Sequence, residues 1–268
     1  MAKRTIQLPS FGGVANGTAT MNLPIGWNYH QLILQRGGTF NHDHITGIRV
    51  MADGVPVWDV SGAHLDDHQA FDGLAVGNNT TKLSTINFER AGLSLPRARE
   101  ATAINSRLMR TLQLEIDIAG STNPTLSAKG IVSTGQLADN RIIKKRKFSF
   151  SPGGAGIYQK SDFPFGSDLI SRIFFHTPTS SGKIDAITVK RDNAIIFERT
   201  KAENELIQTN GVRTPIANTF NIDSSELGAG DQAYVTAGVS DLRFELTMSA
   251  AETVTAYVEY IGLHNSGH

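Results

Sequence analysis

The sequence predicts an all-β chain in which one unit of about eight short strands is used twice. Three observations predict it. First, 26 glycines and frequent Thr, Ser and Asn punctuate short apolar runs, the texture of a chain with many turns. Second, ITGIRVMADGVPVWDVSG (Ile45–Gly62) reads as a hairpin closed at Asp53-Gly54, a dipeptide that favours a type I′ turn. It recurs 139 residues later as IDAITVKRDNAIIFERTK, Ile184–Lys201. Third, further stretches repeat on both sides of this hairpin in the same order.

Taken in order, residues 1–22 read as an extended N-terminal arm. Ile6-Gln7-Leu8 can pair, but Phe11-Gly12-Gly13 and Asn16-Gly17 interrupt any long element. LPIGWNYHQLILQRGG (Leu23–Gly38) gives a Pro-Gly corner and then a strand over Tyr29–Gln35. Its counterpart 140 residues on is FPFGSDLISRIFFHTP, with Pro24/Pro164, Gly26/Gly166 and Ile33/Ile173 identical. In the hairpin, Ile45/Ile184, Ile48/Ile187, Val50/Val189 and Asp53/Asp192 are identical. Gly54 becomes Asn193, which also tolerates positive φ, so the turn chemistry survives.

Ser61–Gly77 is acidic and poorly periodic, a loop or short helix, and Lys82–Phe88 is a strand. Ser94–Met109 has a helix pattern, with Ser94 as cap and Pro96 in the first turn. Thr111–Ile118 alternates strictly, and Thr125–Ser133 closes the first half. LQLEIDIAGSTNPTLSAKGI (Leu112–Ile131) meets LRFELTMSAAETVTAYVEYI (Leu242–Ile261) at an offset of 130, with Leu112/Leu242, Glu115/Glu245, Thr125/Thr255 and Ile131/Ile261 identical. The offset shortens because the connection Thr200–Gly238 lacks the helix of the first half.

The domains expected are therefore an arm (1–22), a first barrel (23–140), a connection (141–162) and a second barrel (163–268). The connection carries the basic run Lys144–Lys147. It reads as a solvated strand edge protected by lysines, with phosphate contact as the sharper alternative.

Composition narrows the function. Lys+Arg and Asp+Glu both number 25, so no basic surface marks a nucleic-acid binder, and none specific is expected. The absence of cysteine excludes disulfide and thiolate chemistry. No secretion signal and no run of about 20 apolar residues is visible, so the chain reads as soluble.

Chemical motifs are sparse. His42 and His44 form an HxH that, on a strand, would present two imidazoles to one metal, as in a duplicated cupin enzyme. No glutamate follows at the spacing a cupin needs, and the second half offers only His176 and Thr177 there. Exposed histidines in a loop are the plainer reading. There is no GxSxG, and Gly153-Gly154-Ala155-Gly156 lacks the lysine and helix of a phosphate loop. His64, Asp66, Asp67, His68 and Asp72 form the densest acidic patch. Asp66, Asp67 and Asp72 are candidate calcium ligands, to be completed at a subunit interface. Trp27, Tyr29 and Trp58 read as core or interface residues. A lectin-like carbohydrate-binding sandwich stays open, since it needs exposed aromatics that sequence does not locate.

A repeated unit of about eight strands has the size of a jelly roll, and two in tandem make a double jelly roll, here with one short helix in the first. The corners Leu23–Gly26 and Phe163–Gly166, the hairpins at Asp53-Gly54 and Asp192-Asn193, and the closing strand pairs carry a resemblance. The chain resembles the double jelly-roll major capsid proteins of tailless, membrane-containing icosahedral bacteriophages, and within them the corticovirus type. The resemblance covers most of residues 23–262. It implies a non-enzymatic homotrimer of pseudo-hexagonal outline, tiling an icosahedral shell around an internal membrane. It also implies stabilisation by calcium, assembly in the host cytoplasm, and contacts with neighbouring capsomers, minor capsid or vertex proteins and the membrane.

Overall fold

Two left-handed residues in a row shape each repeated hairpin. In the computed structural model, φ is 50° and 80° at Asp53 and Gly54, and 48° and 67° at Asp192 and Asn193. These are the type I′ turns that the dipeptides favour. Residues 2–137, 139–180, 182–228 and 233–266 are described. Met1 at the head of the expected arm and Ala229–Gln232 in the expected second connection lie outside them.

The first unit comprises residues 1–146. Its elements are β1 (Arg4–Gln7), β2 (Gly17–Asn22), β3 (Asn28–Gly37), β4 (Ile45–Ala52), β5 (Val55–Val60), α1 (Gly62–Phe71), β6 (Leu83–Asn87), α2 (Pro96–Glu100), β7 (Ile104–Asn105), β8 (Leu112–Ile118) and β9 (Thr125–Ser133). One sheet runs β1-β9-β3-β6, with β7 also on β3, and the other runs β5-β4-β8-β2. Strict alternation of burial along β8 sends Leu112, Leu114, Ile116 and Ile118 inward. Trp58 is buried, meets Phe88 edge-on at 5.2 Å between centroids, and donates its indole N–H to Ile143 O at 2.7 Å.

The second unit comprises residues 147–268. It takes up β10 (Ile142–Phe150) from Lys147 onward, then β11 (Gly156–Lys160), β12 (Leu169–His176), β13 (Ile184–Arg191), β14 (Ala194–Thr200), α3 (Lys201–Gln208), β15 (Thr219–Asp223), β16 (Leu242–Met248) and β17 (Val254–Gly262). Its sheets run β15-β12-β17-β10 and β11-β16-β13-β14. Strand for strand this is the order of the first unit. The core between them holds Phe163, Phe175, Phe244, Ile187, Val189, Leu246 and Val258, all nearly inaccessible.

Three polar clamps are duplicated along with the strands. Asp53 Oδ1 accepts the N–H groups of Arg110 and Thr111 at 2.6 and 2.9 Å, and Asp192 Oδ1 accepts those of Ser240 and Asp241 at 2.9 and 3.0 Å. Each hairpin turn thus pins the start of the strand beside it. Ser106 Oγ accepts the N–H groups of Gly26 and Trp27 at 3.1 and 3.0 Å, and Thr236 Oγ1 accepts that of Gly166 at 3.0 Å. Both hydroxyls are buried and hold the Pro-Gly corners. Ser61 and Thr200 cap α1 and α3 by accepting the N–H groups of His64 and Glu203.

The structure corrects several expectations. The arm is not free: β1 pairs antiparallel with β9, β2 pairs with β8, and Leu8 and Phe11 are buried. The segment 141–162 contains the strand expected in its first part and a second one after it. It holds β10 and β11, which occupy in the second unit the places of β1 and β2 in the first. Gly17 and Gly156 open β2 and β11 with φ of 136° and 124°. Of the basic run, Lys144 and Lys145 are buried rather than solvated, with Lys145 Nζ 4.6 Å from the Trp58 ring centre and 3.4 Å from His68 Nδ1. The helix over 94–109 shrinks to α2, because Thr102, Ala103, Ile104 and Ser106 are drawn into the core. Ser61–Gly77 does contain a helix, α1, and a third helix, α3, follows the second hairpin where the sequence reading places only a connection.

Asp192→Ala removes the acceptor of two backbone N–H groups and is expected to cost about 1–3 kcal/mol, whereas Asp192→Asn keeps Oδ1 and costs less. Urea unfolding of both variants checks this; equal losses would refute the clamp. Deleting residues 1–15 removes β1 and the buried Leu8 and Phe11, for an expected loss of about 3–5 kcal/mol from apolar burial alone. An unchanged melting temperature, with assembly impaired, would restore a free arm.

Candidate functional site

The histidine and aspartate cluster of the first unit is held by a glycine. A Cβ at position 77 would fall 2.2 Å from His42 Nδ1, so only glycine lets the chain pass over the imidazole. The Gly77 N–H donates to Asp66 Oδ1 at 2.9 Å, and Asp66 Oδ2 lies 2.7 Å from His42 Nε2, at an angle too bent for a good hydrogen bond. On the other side of the ring, Nδ1 meets Ser84 Oγ at 3.0 Å. The His42 N–H and the Arg36 guanidinium both donate to Asn79 Oδ1, at 2.6 and 3.1 Å.

His42 and His44 lie on a 3-10 turn (His42–His44), not on a strand, so they do not share a face as a cupin pair would. His42 is buried, against the expectation of exposed loop histidines, and His44 stacks on Phe40 at 6.3 Å. Ser84, His42 and Asp66 follow one another as in a hydrolase triad, a set 42 residues wide that no sequence spacing nominates. Here Ser84 is buried on β6 and paired with Leu34, and the Gly77 backbone covers the ring. The cluster ties α1 to β6 and to the turn before β4 as a packed polar clamp.

The three candidate calcium ligands stand apart. Among the described residues, Asp66, Asp67 and Asp72 do not come together as one ligand group. Asp66 is occupied by His42 and Gly77, and Asp72 is the C-cap of α1. Burial, with the charge of Asp66 beside it, pushes the Asp67 carboxyl up to about 6 from its ordinary 3.8. Neighbouring helix residues point about 100° apart, which separates Asp66 from Asp67. Within one subunit these residues do not fit a calcium sphere.

Two barrels of one strand order in tandem, each closed by the same clamps, define a double jelly-roll protein, the architecture of a class of viral coat proteins. The chain belongs to the viral coat protein P2 family: the P2 N-terminal domain matches residues 5–133 and the C-terminal domain residues 142–264. It is similar to the major capsid protein P2 from bacteriophage PM2, at 22% identity over 97% of both chains with a TM-score of 0.86. It is also similar to a chain of Sulfolobus turreted icosahedral virus (10% identity, 97% of this chain and 91% of that one, TM-score 0.71). A third likeness is to the PBCV-1 virus capsid (10% identity, 99% and 97% covered, TM-score 0.65). No curated protein sequence matches the chain. The protein is a structural component of a virion capsid, and it acts by self-association.

Functional residues of such a protein lie on its surfaces. No sequence signal points to the clamp residues Ser106 and Thr236, or to Ser84, because each meets its partner only after long-range pairing.

The raised Asp67 value has a definite sign. The folded state holds this proton more tightly than the unfolded chain, so the contribution is complete below about pH 4 and is lost as pH rises through about 6. The melting temperature of wild type relative to Asp67→Asn is therefore expected to fall between pH 4.5 and 7.5. A constant difference would show that Asp67 titrates normally.

Proposed function

We propose that three copies of the chain form a capsomer of pseudo-hexagonal outline, and that such capsomers tile an icosahedral shell around an internal membrane. The observation that carries this reading is the duplication. One strand order and three clamps occur twice, so a trimer presents six similar barrels and fits a near-hexagonal lattice. The similar structures, a bacteriophage major capsid protein and a chain of an icosahedral virus among them, support it. Minor capsid or vertex proteins and the membrane belong to this reading as further partners, and the host cytoplasm as the place of assembly. Calcium enters it as an ion shared between subunits, since Asp66 is committed within its own. Calorimetry is expected to find calcium binding to the oligomer and none to dissociated subunits.

Light scattering of the purified chain is expected to give three times the subunit mass of 29.0 kDa. A stable monomer or dimer at micromolar concentration, together with absence of shells or sheets in electron micrographs, would overturn the proposal.

A further inference from the structure

The two copies of the hairpin-and-helix motif differ in how they are covered. In the first unit, Val57, Trp58 and Val60 of β5 are buried, and the outer edge of β5 pairs in parallel with β10 through Trp58 and Lys145. At the corresponding positions of the second unit, Ile196, Phe197 and Arg199 are only half-buried, and the neighbouring Ile195 is exposed. Strand β14 ends its sheet, and among the described residues no strand pairs with its outer edge. A long edge strand with exposed apolar side chains is normally protected by something.

The helix after each hairpin shows the same contrast. Helix α1 turns Leu65, His68 and Phe71 inward. Helix α3 is inside out: its buried residues are Asn204 and Gln208, both donating side-chain N–H groups to Asn221 O at 2.7 and 3.0 Å. Leu206 and Ile207, aligned with Asp67 and His68, face outward at 77% and 41% exposure. Helix positions that face water should be polar, and a polar inner face beneath an apolar outer one marks a surface built to be covered.

We propose that the α3–β14 face of the second unit packs against another copy of this chain. The chain is a coat protein, so a second copy is the partner present at every position of a shell. The same sequence also carries a complementary surface. Between residues 95 and 110 the first unit exposes Leu95 and Leu108 on a segment that carries Arg97, Arg99, Arg107 and Arg110 against a single acid, Glu100. On α3 the exposed Leu206 and Ile207 share the helix with Glu203 and Glu205 against one cation, Lys201, which lies 3.8 Å from Glu205. Exposed apolar residues on a net basic segment of one copy, set against exposed apolar residues on a net acidic helix of the next, make a head-to-tail pairing, the kind that closes rings. The ring size of three rests on the trimer reading above; the location of the contact does not.

The test uses the full chain. Replacing both apolar residues, Leu206→Asp with Ile207→Asp, is expected to drop the light-scattering mass to one subunit with an unchanged far-ultraviolet spectrum. Since the chain has no cysteine, Leu206→Cys supplies a single thiol. Its modification by a polyethylene-glycol maleimide is expected to be at least tenfold slower in the oligomer than after dissociation. A wild-type oligomer that survives the double substitution, or a thiol equally reactive in both states, overturns this proposal and leaves the trimer standing. A wild type that stays monomeric overturns both. Flotation of the monomer with lipid vesicles, with the thiol at position 206 protected by them, would assign the face to a membrane and overturn the proposal as well.

Discussion

The structure depends on a carboxylate placed at a turn. A type I′ hairpin needs two residues at positive φ, and aspartate at the first of them supplies a second service. Its side chain reaches out of the turn to the backbone of another strand. Asp53 fixes the start of β8 and Asp192 the start of β16, and the backbone of each turn adds a further bond, from the Asp53 and Asp192 N–H groups to Thr111 O and Asp241 O, both at 2.9 Å. Because strand faces alternate with a period of two, a slip of one residue there would turn Leu112, Leu114 and Ile116 out of the core, and Leu242, Phe244 and Leu246 likewise. Register in the middle of both barrels is thus held by turn carboxylates that bind segments 48 to 58 residues away along the chain.

Much of the fold was legible because its turn and strand signals are local. The Asp-Gly and Asp-Asn turns, the Pro-Gly corners and the alternation of β8 and β16 each act within a few residues, and their repetition exposed the duplication. What was missed involves long-range override. Lys144 and Lys145 read as an edge, yet both are buried where β10 pairs with β5, and Lys145 lies over the Trp58 ring. The helix pattern at Ser94–Met109 lost to the demand for Ile104 on β3 and Ser106 at the corner, since a few tenths of a kcal/mol of propensity per residue do not outweigh a buried side chain. Helix α3 was in principle readable: Thr200 and Glu203 form a capping box, and its signature stands in the sequence.

For the candidate site the lesson is different. The dense run of His and Asp residues in α1 drew attention as ligands, but composition cannot say which way a side chain points. Asp66 turned toward a buried histidine and a glycine amide, while Asp67 faces surroundings that favour its neutral form. A charged cluster in sequence became part of the scaffold.

Comparison of the two copies is more informative than either alone. Duplicated elements start out equivalent, so where they now differ, the difference reports a change in surroundings. The clamps and the core positions of the strands have stayed alike. Among the elements that both units hold, the copies depart in β5 against β14 and α1 against α3, where Trp58 gives way to a less buried Phe197, Leu65 to Asn204 and His68 to Ile207. Each change moves apolar surface from inside the unit to its outside. A lone protein gains nothing from that exchange, since it weakens the core and invites aggregation. In a coat protein the same exchange moves stabilisation from the subunit to the contact, so that association rather than folding completes the burial.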